Sequence, residues 1–240
     1  MERRNSWSID EGGGAVLYGG FAKKVTAFFG TRAMDDEALF ERLGIEADIF
    51  VKQTHSTEIL AVDSHRSVSE WIEEGKKGYD GIVTDRPGWA VAIYTADCVP
   101  VLLYDGRKKV CAAVHAGWRG TAGEIVKKAV EVMREKYGSR PADIGAAIGP
   151  CIGSCCYQVD DAVYNSFRLY PWKGEVFRED GPRWRLNLKD TNRRQLMEAG
   201  LADEKISSSH LCTACRTDLF FSYRLEGSTG RMVSGIVMKG

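Results

Sequence analysis

Two histidines and one cysteine stand where apolar, strand-like runs of this sequence end, and together they could hold a metal ion. His55 ends the segment Val-Lys-Gln-Thr-His, Cys98 interrupts an apolar run in Tyr-Thr-Ala-Asp-Cys-Val-Pro, and His115 follows Val-Cys-Ala-Ala-Val. Strand ends that lead into loops are where binding and catalytic residues concentrate. Two imidazoles and one thiolate form a three-ligand zinc set with an open fourth position, which is the catalytic arrangement of this metal.

The same residues are compatible with other interpretations. A single histidine at a strand end is more often hydrogen-bonded within the fold, and a lone cysteine in an apolar strand is more often a core residue. Without a metal, Cys98 and His115 would suit a cysteine hydrolase or deamidase, with Cys98 as nucleophile and His115 as base. A non-enzymatic, zinc-stabilised binding protein would use the three ligands without turnover. Composition and spacing alone leave these alternatives open.

The chain has seven cysteines, an odd number, at positions 98, 111, 151, 155, 156, 212 and 215. No apolar export signal accompanies them, so free thiols, metal ligands or nucleophiles are expected rather than a disulfide framework. Cys111 lies within an apolar strand and is predicted to be a core residue, whereas Cys151, Cys155 and Cys156 follow a glycine-rich turn and could line a pocket or pack. The segment Cys-Thr-Ala-Cys at 212–215 has metal-ligand spacing. Because no second pair stands at zinc-ribbon distance, we do not expect a structural zinc site there.

Composition indicates an ordinary globular protein and excludes some classes of partner. Of 240 residues 44% are hydrophobic and 28% are charged, and 33 basic residues balance 33 acidic ones. Zero net charge gives no electrostatic footprint for nucleic acid or an anionic membrane. The apolar runs are far shorter than the roughly 20 residues of a membrane span, and the N-terminus lacks the apolar region of a signal peptide. We therefore expect a soluble, cytoplasmic monomer or homodimer with no nucleic-acid or membrane partner.

Strands and helices alternate along the chain in a way that predicts an α+β fold. Strand candidates rich in β-branched and aromatic residues are Val25–Phe29, Asp48–Val51, Trp89–Tyr94, Val99–Tyr104, Lys109–Val114, Ile144–Ile148, Trp184–Leu188 and Met232–Met238. Some of them follow one another like hairpins, and others are separated by helices. This order predicts mixed sheets with helices packed outside.

The clearest predicted helix follows Gly120. Thr121 and Glu124 have the spacing of a capping box, with Thr121 as the N-cap. An apolar face then runs from Ile125 to Tyr137 at helical spacing, and Gly138 supplies a stop signal. Weaker helices are predicted over Asp35–Leu43, Asp160–Leu169 and Thr191–Ala199.

Several longer motifs follow one another from about residue 25 to the C-terminus. They are Lys-Gln-Thr-His at 52–55, Thr-Ala-Asp-Cys-Val-Pro at 95–100, His-Ala-Gly-Trp-Arg-Gly at 115–120, Ile-Gly-Pro-Cys-Ile-Gly at 148–153, Cys-Tyr-Gln-Val at 156–159 and Phe-Phe-Ser-Tyr-Arg at 220–224. In type and order these motifs resemble the YfiH-type family, also called the laccase-domain or polyphenol-oxidase family. Several long motifs in order are far more specific than any single pattern.

The resemblance implies a single domain over residues 1–240, an α/β/β/α layered sandwich with mixed β-sheets. It implies a zinc site whose ligands match His55, Cys98 and His115. It also implies a purine nucleoside enzyme, which cleaves adenosine, inosine, guanosine and methylthioadenosine with phosphate and deaminates adenosine. The chain departs from the family pattern after Arg32, where a glycine-rich turn is shortened, so that wall of the pocket and the substrate preference are expected to differ.

These reactions require further groups near the metal. Deamination by water activated on zinc needs an acid–base group, and Asp97 is the nearest carboxylate in sequence to Cys98. Phosphorolysis needs an anion site, for which Arg32 and Arg119 are candidates because guanidinium groups bind phosphate bidentately. Tyr157 and Phe221 could stack on a purine.

The family's older name suggests multicopper oxidation, but the sequence argues against it. A blue-copper centre alone would take two histidines and a cysteine. Only four histidines are present in the chain, so two would remain for any further copper ions. Zinc is therefore expected in preference to copper.

Overall fold

Two six-stranded β-sheets stacked face to face form the centre of the molecule in a computed structural model that describes residues 6–63 and 66–240. Sheet I contains, in spatial order, β1 (Trp7–Ile9), β2 (Ala15–Tyr18), β3 (Val25–Gly30), β15 (Met232–Met238), β7 (Trp89–Thr95) and β4 (Ala47–Ile49). Sheet II contains β14 (Ile206–Ser208), β10 (Ile144–Ile148), β8 (Val99–Asp105), β9 (Val110–Ala116), β6 (Gly81–Thr84) and β5 (Ile59–Val62). A small sheet III contains β11 (Gln158–Val159), β13 (Arg183–Leu186) and β12 (Phe177–Asp180).

Both large sheets are mixed. Strands β4 and β7 run parallel in sheet I, and the pairs β5–β6 and β10–β14 run parallel in sheet II. The remaining neighbours in these sheets are antiparallel. The central strands are apolar on both faces because each sheet is covered on both sides.

Side-chain alternation along the strands divides the core into layers. Val101 and Val114 face the helices outside sheet II, whereas Leu102 and Ala113 pack between the two sheets. Cys111 is fully buried in the same layer between the sheets. The prediction that Cys111 is a core residue is confirmed.

Helices pack on the outer face of each large sheet. The helices of the described ranges are α1 (Asp36–Leu43), α2 (Val68–Gly75), α3 (Trp118–Ala122), α4 (Ile125–Tyr137), α5 (Asp161–Ser166), α6 (Lys173–Val176), α7 (Leu188–Glu198) and α8 (Tyr223–Glu226), with 3₁₀ helices at Pro141–Asp143 and Asp203–Lys205. Of these, α5 and α6 contact the small sheet III. Helix α1 packs Leu39 against sheet I, and α4 packs Val126 and Met133 against sheet II. The predicted α/β/β/α sandwich with mixed sheets is confirmed. Within the described ranges, no helix is long and apolar enough to cross a membrane.

The helix after Gly120 differs from the prediction at its start. Thr121 is not an N-cap: it lies inside the short helix α3, and its hydroxyl oxygen accepts a hydrogen bond from Asn192 Nδ2 at 3.0 Å. Glu124 stands immediately before α4 in the left-handed region, with φ 62°. The predicted apolar face of α4 is buried, and the helix ends at Gly138, whose φ of 69° favours glycine.

The other predicted helices are present with shifted ends. Helix α5 ends at Ser166, and α7 begins at Leu188 because the Asn187 side chain accepts a hydrogen bond from the Asp190 N–H at 3.2 Å. Helix α2 was not predicted, although Ser67 and Glu70 form a capping box at its start.

The register of sheet II gathers the candidate site at one end of the sandwich. The chain passes from sheet I to sheet II in the turn between β7 and β8, which contains Cys98. Pro100 of β8 pairs with His115 of β9, so Cys98 lies beside the end of β9. Strand β6 pairs with the same end of β9, and the His115 N–H donates to the carbonyl of Asp80 at 2.7 Å.

Candidate metal centre and substrate cleft

The structure brings His55, Cys98 and His115 together at this end of the sandwich. One ring nitrogen of each histidine and Cys98 Sγ all lie within 4.8 Å of one another. The two imidazole rings are 5.0 Å apart and nearly perpendicular, at 80°. His115 is buried, whereas His55 is exposed on the loop after β4. Zinc bonds of about 2.0–2.3 Å can join donor atoms in a group of this size; we call this group the three-donor centre.

Asp80, which sequence reasoning missed, is fully buried and orients both histidines. Its Oδ1 lies 2.8 Å from His115 Nδ1 and accepts a hydrogen bond from the backbone N–H of His55 at 3.0 Å. A histidine that binds a metal usually donates its other ring N–H to a carboxylate, which fixes its tautomer and increases its basicity as a ligand. Asp80 therefore occupies Nδ1 of His115 and leaves Nε2 as the ring nitrogen that could bind a metal.

The loop that carries His55 is also held by Asp80. His55 has φ 59°, an uncommon conformation for a residue other than glycine. Oδ2 of Asp80 accepts the N–H groups of Thr54 at 3.1 Å and Ser56 at 2.6 Å, and the Ser56 hydroxyl at 2.8 Å. These bonds on both sides of His55 stabilise its backbone conformation and so position its Cα–Cβ bond towards the other two donors.

The electrostatics of the three-donor centre favour a thiolate. Burial alone would raise the pKa of the Cys98 thiol, but hydrogen bonds and charge from His115 and His55 lower it to about 6. Burial would lower the pKa of His115, but its bonds to Asp80 and Cys98 raise it to about 9. Although burial also opposes ionisation of Asp80, hydrogen bonds from His115 and Ser56 hold the pKa of this carboxyl well below its usual range. The thiolate is both the metal-binding and the nucleophilic form of cysteine.

Gly117 leaves open space next to the donors. A Cβ at this position would lie 3.0 Å from Cys98 Sγ and 3.2 Å from His55 Cδ2. The φ of Gly117 is −72°, which any residue can adopt. Glycine is therefore favoured at this position by the limited space rather than by backbone conformation.

Asp97 has partners that favour a positioning role. It adopts φ 83°, and its Oδ1 accepts the Thr213 hydroxyl at 2.6 Å. Its Oδ2 accepts the Ser222 hydroxyl at 3.1 Å and the Arg224 N–H at 2.7 Å. These bonds hold the turn that carries Cys98, and Asp97 is not among the residues lining the cleft described next. The acid–base role expected for Asp97 stays a prediction that this geometry does not favour.

A cleft of about 790 Å³ opens onto the three-donor centre. This volume is within the range of roughly 300–1,000 Å³ that is usual for small-molecule sites. Besides the three donors, the cleft is lined by Val51, Gln53, Tyr94, Thr95, Ala96, Tyr223 and Arg231. Gln53 fixes one wall, because its side chain exchanges two hydrogen bonds, of 2.8 and 2.7 Å, with the backbone of Tyr94.

Tyr223 and Arg231 give the cleft an aromatic and a cationic wall. The Tyr223 side chain is exposed, and the Arg231 guanidinium lies 5.8 Å from its ring centre. Sequence reasoning singled out neither residue. Tyr223 belongs to the motif Phe-Phe-Ser-Tyr-Arg, in which the less exposed Phe221 was preferred as the stacking residue.

Arg32 and Phe221 contact each other outside the residues that line the cleft. The Arg32 guanidinium lies 4.6 Å from the Phe221 ring centre. Its Nη1 donates to the carbonyl of Thr217 at 2.6 Å and pairs with Glu226 Oε1 at 2.9 Å. Their expected roles in binding phosphate and purine stay predictions.

Arg119 and Tyr157 differ in their exposure. Arg119 is exposed in α3, and its guanidinium lies 4.3 Å from the Trp118 ring centre. Tyr157 is buried, with the Arg224 guanidinium 5.1 Å from its ring centre, and burial raises its pKa. Burial favours a packing role for Tyr157 over purine stacking, whereas Arg119 remains accessible to an anion.

Comparison with known proteins identifies the family. A sequence model of the family described as "Multi-copper polyphenol oxidoreductase laccase" matches residues 33–239. The chain belongs to this laccase-domain family. The match includes all of sheet II, strands β4, β7 and β15 of sheet I, the three donors and the cleft.

Two relatives of this laccase-domain chain have enzyme names. The Bacillus subtilis protein named "Purine nucleoside phosphorylase YlmD" is 39% identical over 201 residues, which are 81% of this chain and 72% of that protein. The protein named "Adenosine deaminase RL5", from an unknown prokaryotic organism, is 34% identical over 206 residues, which are 82% of this chain and 78% of that protein. The prediction that the chain is an enzyme is confirmed, which disfavours a non-enzymatic binding protein.

A solved structure supports the same assignment. The crystal structure of the Bacillus licheniformis hypothetical protein YfiH matches with a TM-score of 0.88 at 34% identity, covering 98% of this chain and 100% of that one. The predicted resemblance to the YfiH-type family is thereby confirmed.

The family description names a multicopper enzyme, but this laccase-domain chain brings together only enough histidines, within the described residues, to bind one metal ion. The three-donor centre uses two of its four histidines. His210 is exposed and lies outside that centre, and His65 lies outside the described residues. A multicopper cluster would need more imidazoles than these positions can supply.

Proposed function

We propose that this laccase-domain chain is a zinc-dependent purine nucleoside enzyme. It cleaves adenosine, inosine, guanosine and methylthioadenosine with phosphate, and it deaminates adenosine. The observation that carries the proposal is the three-donor centre, whose open side faces a cleft of nucleoside size. The names of the two relatives support the class of substrate.

The donor set fits zinc. Catalytic zinc sites commonly use three protein ligands from histidine, cysteine and carboxylates, with one position left for water or substrate. His55, Cys98 and His115 supply such a set, and Asp80 supplies the carboxylate that orients a ligating imidazole. When bound, zinc supplies Lewis acidity and lowers the pKa of a water molecule to about 7.

Phosphorolysis requires a cation that neutralises phosphate beside the ribose. An oxygen of phosphate bonds to C1′ while the C1′–N9 bond breaks, and the purine leaves with the bonding electrons and takes up a proton. Arg231 lines the cleft, so we add it to Arg32 and Arg119 as a candidate for this contact. Arg32 would exchange its contact with Glu226 for phosphate, whereas Arg119 and Arg231 could bind phosphate bidentately without breaking that ion pair.

The purine base needs a flat, apolar contact. The exposed Tyr223 ring lines the cleft and can stack on a base. In deamination an oxygen from water bonds to C6 and the amino group leaves as ammonia. The three-donor centre lies at one wall of the cleft and the Tyr223 ring at another. A purine stacked on this ring would have its reacting bonds next to the donors.

Product analysis together with metal analysis tests the proposal. Purified protein is incubated with adenosine, with and without phosphate, and products are separated by chromatography. We expect adenine and a ribose phosphate with phosphate, inosine without it, and loss of both after chelation, with recovery on adding zinc. The absence of any purine product under both conditions would refute the proposal.

A cysteine hydrolase or deamidase is the second candidate. It is favoured by the hydrogen-bonded contact of Cys98 with His115, which in turn contacts Asp80, as in a nucleophile–base–carboxylate arrangement. Full activity on an amide substrate in metal-free protein, abolished by alkylation of Cys98, would favour this candidate over the zinc enzyme.

A further inference from the structure

Four cysteines outside the three-donor centre form a second compact group. Cys155, Cys156, Cys212 and Cys215 place their sulfur atoms within 4.8 Å of one another; we call them the four-cysteine cluster. The sequence expectation that the Cys-x-x-Cys segment lacks partners is wrong, because the adjacent pair 155–156 completes it. Two of the four side chains are exposed and one is buried.

The topology of sheet II explains why these distant cysteines meet. Strands β10 and β14 are parallel neighbours, and Ile148 lies opposite Ser208 at their ends. The loops that follow the two strands therefore begin at the same edge of the sheet. A parallel bridge between Cys151 and Cys212 continues the pairing into these loops.

The sulfur separations match a tetrahedral metal site. With Zn–S bonds of about 2.3 Å, the edges of a regular tetrahedron measure about 3.8 Å. The Sγ–Sγ distances are 3.7 Å for Cys155–Cys212, 3.5 Å for Cys155–Cys215 and 3.4 Å for Cys156–Cys215. A disulfide would require about 2.05 Å. These three distances are close to the edges of such a tetrahedron and too long for a cross-link.

The surroundings also suit thiolates. The Gly153 N–H donates to Cys212 Sγ at 3.2 Å, which stabilises negative charge on that sulfur. Arg185 donates to the carbonyl of Cys155, and Lys189 donates to the carbonyl of Ser209 in the other loop. Four thiolates around a divalent ion would carry a net charge of −2. Lys189 offsets part of this charge, whereas Arg185 already pairs with Asp180 Oδ2 at 2.9 Å.

We propose that the four-cysteine cluster binds a structural zinc ion, separate from the three-donor centre. All four positions are occupied by protein sulfur, which is the closed arrangement of structural zinc sites. The ion joins the loop after β10 to the loop after β14. It also protects two exposed thiols, which would otherwise be open to oxidation.

The bound ion would also stabilise the turn that carries Cys98. The first loop donates the Ile152 N–H to the carbonyl of Asp97 at 3.0 Å. The second donates the Thr213 hydroxyl to the Asp97 carboxylate at 2.6 Å. Because the proposed ion joins both loops, it holds Asp97 from two sides.

Metal counting on the full-length protein tests the proposal without any substrate. Wild-type protein, purified under reducing conditions with zinc, is expected to hold two zinc ions per chain. Cys98→Ser should hold one, and Cys212→Ser combined with Cys215→Ser should also hold one. Cys111→Ala, a buried cysteine outside both groups, is the matched control and should keep two.

Cobalt substitution of the wild-type chain keeps the test decisive if the double variant does not fold. A tetrathiolate site gives strong sulfur-to-cobalt charge-transfer absorption, and this band should survive in Cys98→Ser. Zinc content that is unchanged in the folded Cys212→Ser, Cys215→Ser double variant, no tetrathiolate band in Cys98→Ser, iron in place of zinc, or a disulfide among these cysteines under reducing conditions would overturn the proposal. Since the readout is metal content, its outcome is independent of whether the enzyme acts on purine nucleosides.

Discussion

The three-donor centre and the four-cysteine cluster show how the number and type of ligands divide chemistry from structure. The three-donor centre mixes two imidazoles with one thiolate, is oriented by Asp80, and faces a cleft. The four-cysteine cluster has four sulfurs from two loops, and with the proposed ion bound it would leave no ligand position for a substrate. An open set of three ligands can bind and activate a reactant, whereas a closed set of four can only stabilise the fold.

The two sites meet at a single turn. Cys98 belongs to the three-donor centre, and its neighbour Asp97 is held by Ile152 and Thr213 from the loops of the four-cysteine cluster. The comparison therefore predicts that damage to the first site removes activity with little effect on stability. Damage to the four-cysteine cluster should lower stability with little effect on activity.

Removal of a donor should have the largest effect on turnover. We expect Cys98→Ser and His115→Ala to reduce the rate of adenosine conversion to background, because each takes away a ligand of the proposed zinc ion. Cys111→Ser, at a buried position between the sheets, should keep most of the rate. Steady-state kinetics with metal analysis measures this contrast, and equal loss in all three variants at unchanged stability would contradict it.

The Asp80 carboxylate should be the next most sensitive group. Asp80→Asn keeps the shape but weakens its bonds to His115 and the His55 loop, and we expect a 10–100-fold loss of metal affinity or activity. Asp105→Asn is the matched control: Asp105 is equally buried and accepts the N–H groups of Arg107 and Lys108 in the turn between β8 and β9. Zinc titration should separate the two variants, and similar zinc affinity in both would show that Asp80 is only structural.

The donors were predictable because each one interrupts or ends an apolar run. Cys98 and His115 stand at strand ends, which meet at sheet edges, whereas His55 lies in the loop between β4 and β5. The layered fold was predictable from the order of strands and helices and from the family motifs. A single sequence could not show the strand order that brings the three ends together.

The missed residues depend on long-range pairing. Asp80 is 35 residues from His115 and becomes its partner only through the pairing of β6 with β9. Arg32 pairs with Glu226 across 194 residues, and Cys155 meets Cys215 across 60. No local pattern encodes contacts at such separations, and the direction of the Asp97 carboxylate is set by a positive φ that sequence spacing does not reveal.

Filling the space at Gly117 should have an intermediate effect. In Gly117→Ala the new methyl would press on Cys98 Sγ and His55 Cδ2, and we expect about a tenfold loss of turnover, or ~1.4 kcal/mol. Gly174→Ala, in α6 where a Cβ meets nothing within 4 Å, is the control and should keep full activity. Unchanged turnover in Gly117→Ala would mean that the donors can move away from the methyl without loss of function.

Damage to the four-cysteine cluster should lower stability more than activity. We expect Cys215→Ser to reduce Tm by about 10 °C, which corresponds to roughly 3 kcal/mol for a chain of this size. Its turnover at 25 °C should stay within about threefold of wild type, or ~0.7 kcal/mol, because Cys98 and both histidines are retained. Thermal unfolding with and without chelator measures the first effect. A Tm equal to that of wild type would argue against a bound ion.

The smallest expected effect separates the two purine reactions within one preparation. Replacing Arg32, Arg119 or Arg231 by lysine keeps the positive charge but removes the planar fork that binds phosphate bidentately. The residue that contacts phosphate should therefore lose phosphorolysis while keeping deamination, so the ratio of inosine to adenine should rise roughly fivefold, or ~1 kcal/mol. Because both products come from the same sample, misfolding cannot produce this change.

The position of Arg231 in the cleft leads us to expect the largest change there, and the ion pair with Glu226 leads us to expect the smallest for Arg32. If both rates fall in equal proportion in all three variants, none of these arginines is a dedicated phosphate contact, and the anion must be held by the metal centre itself.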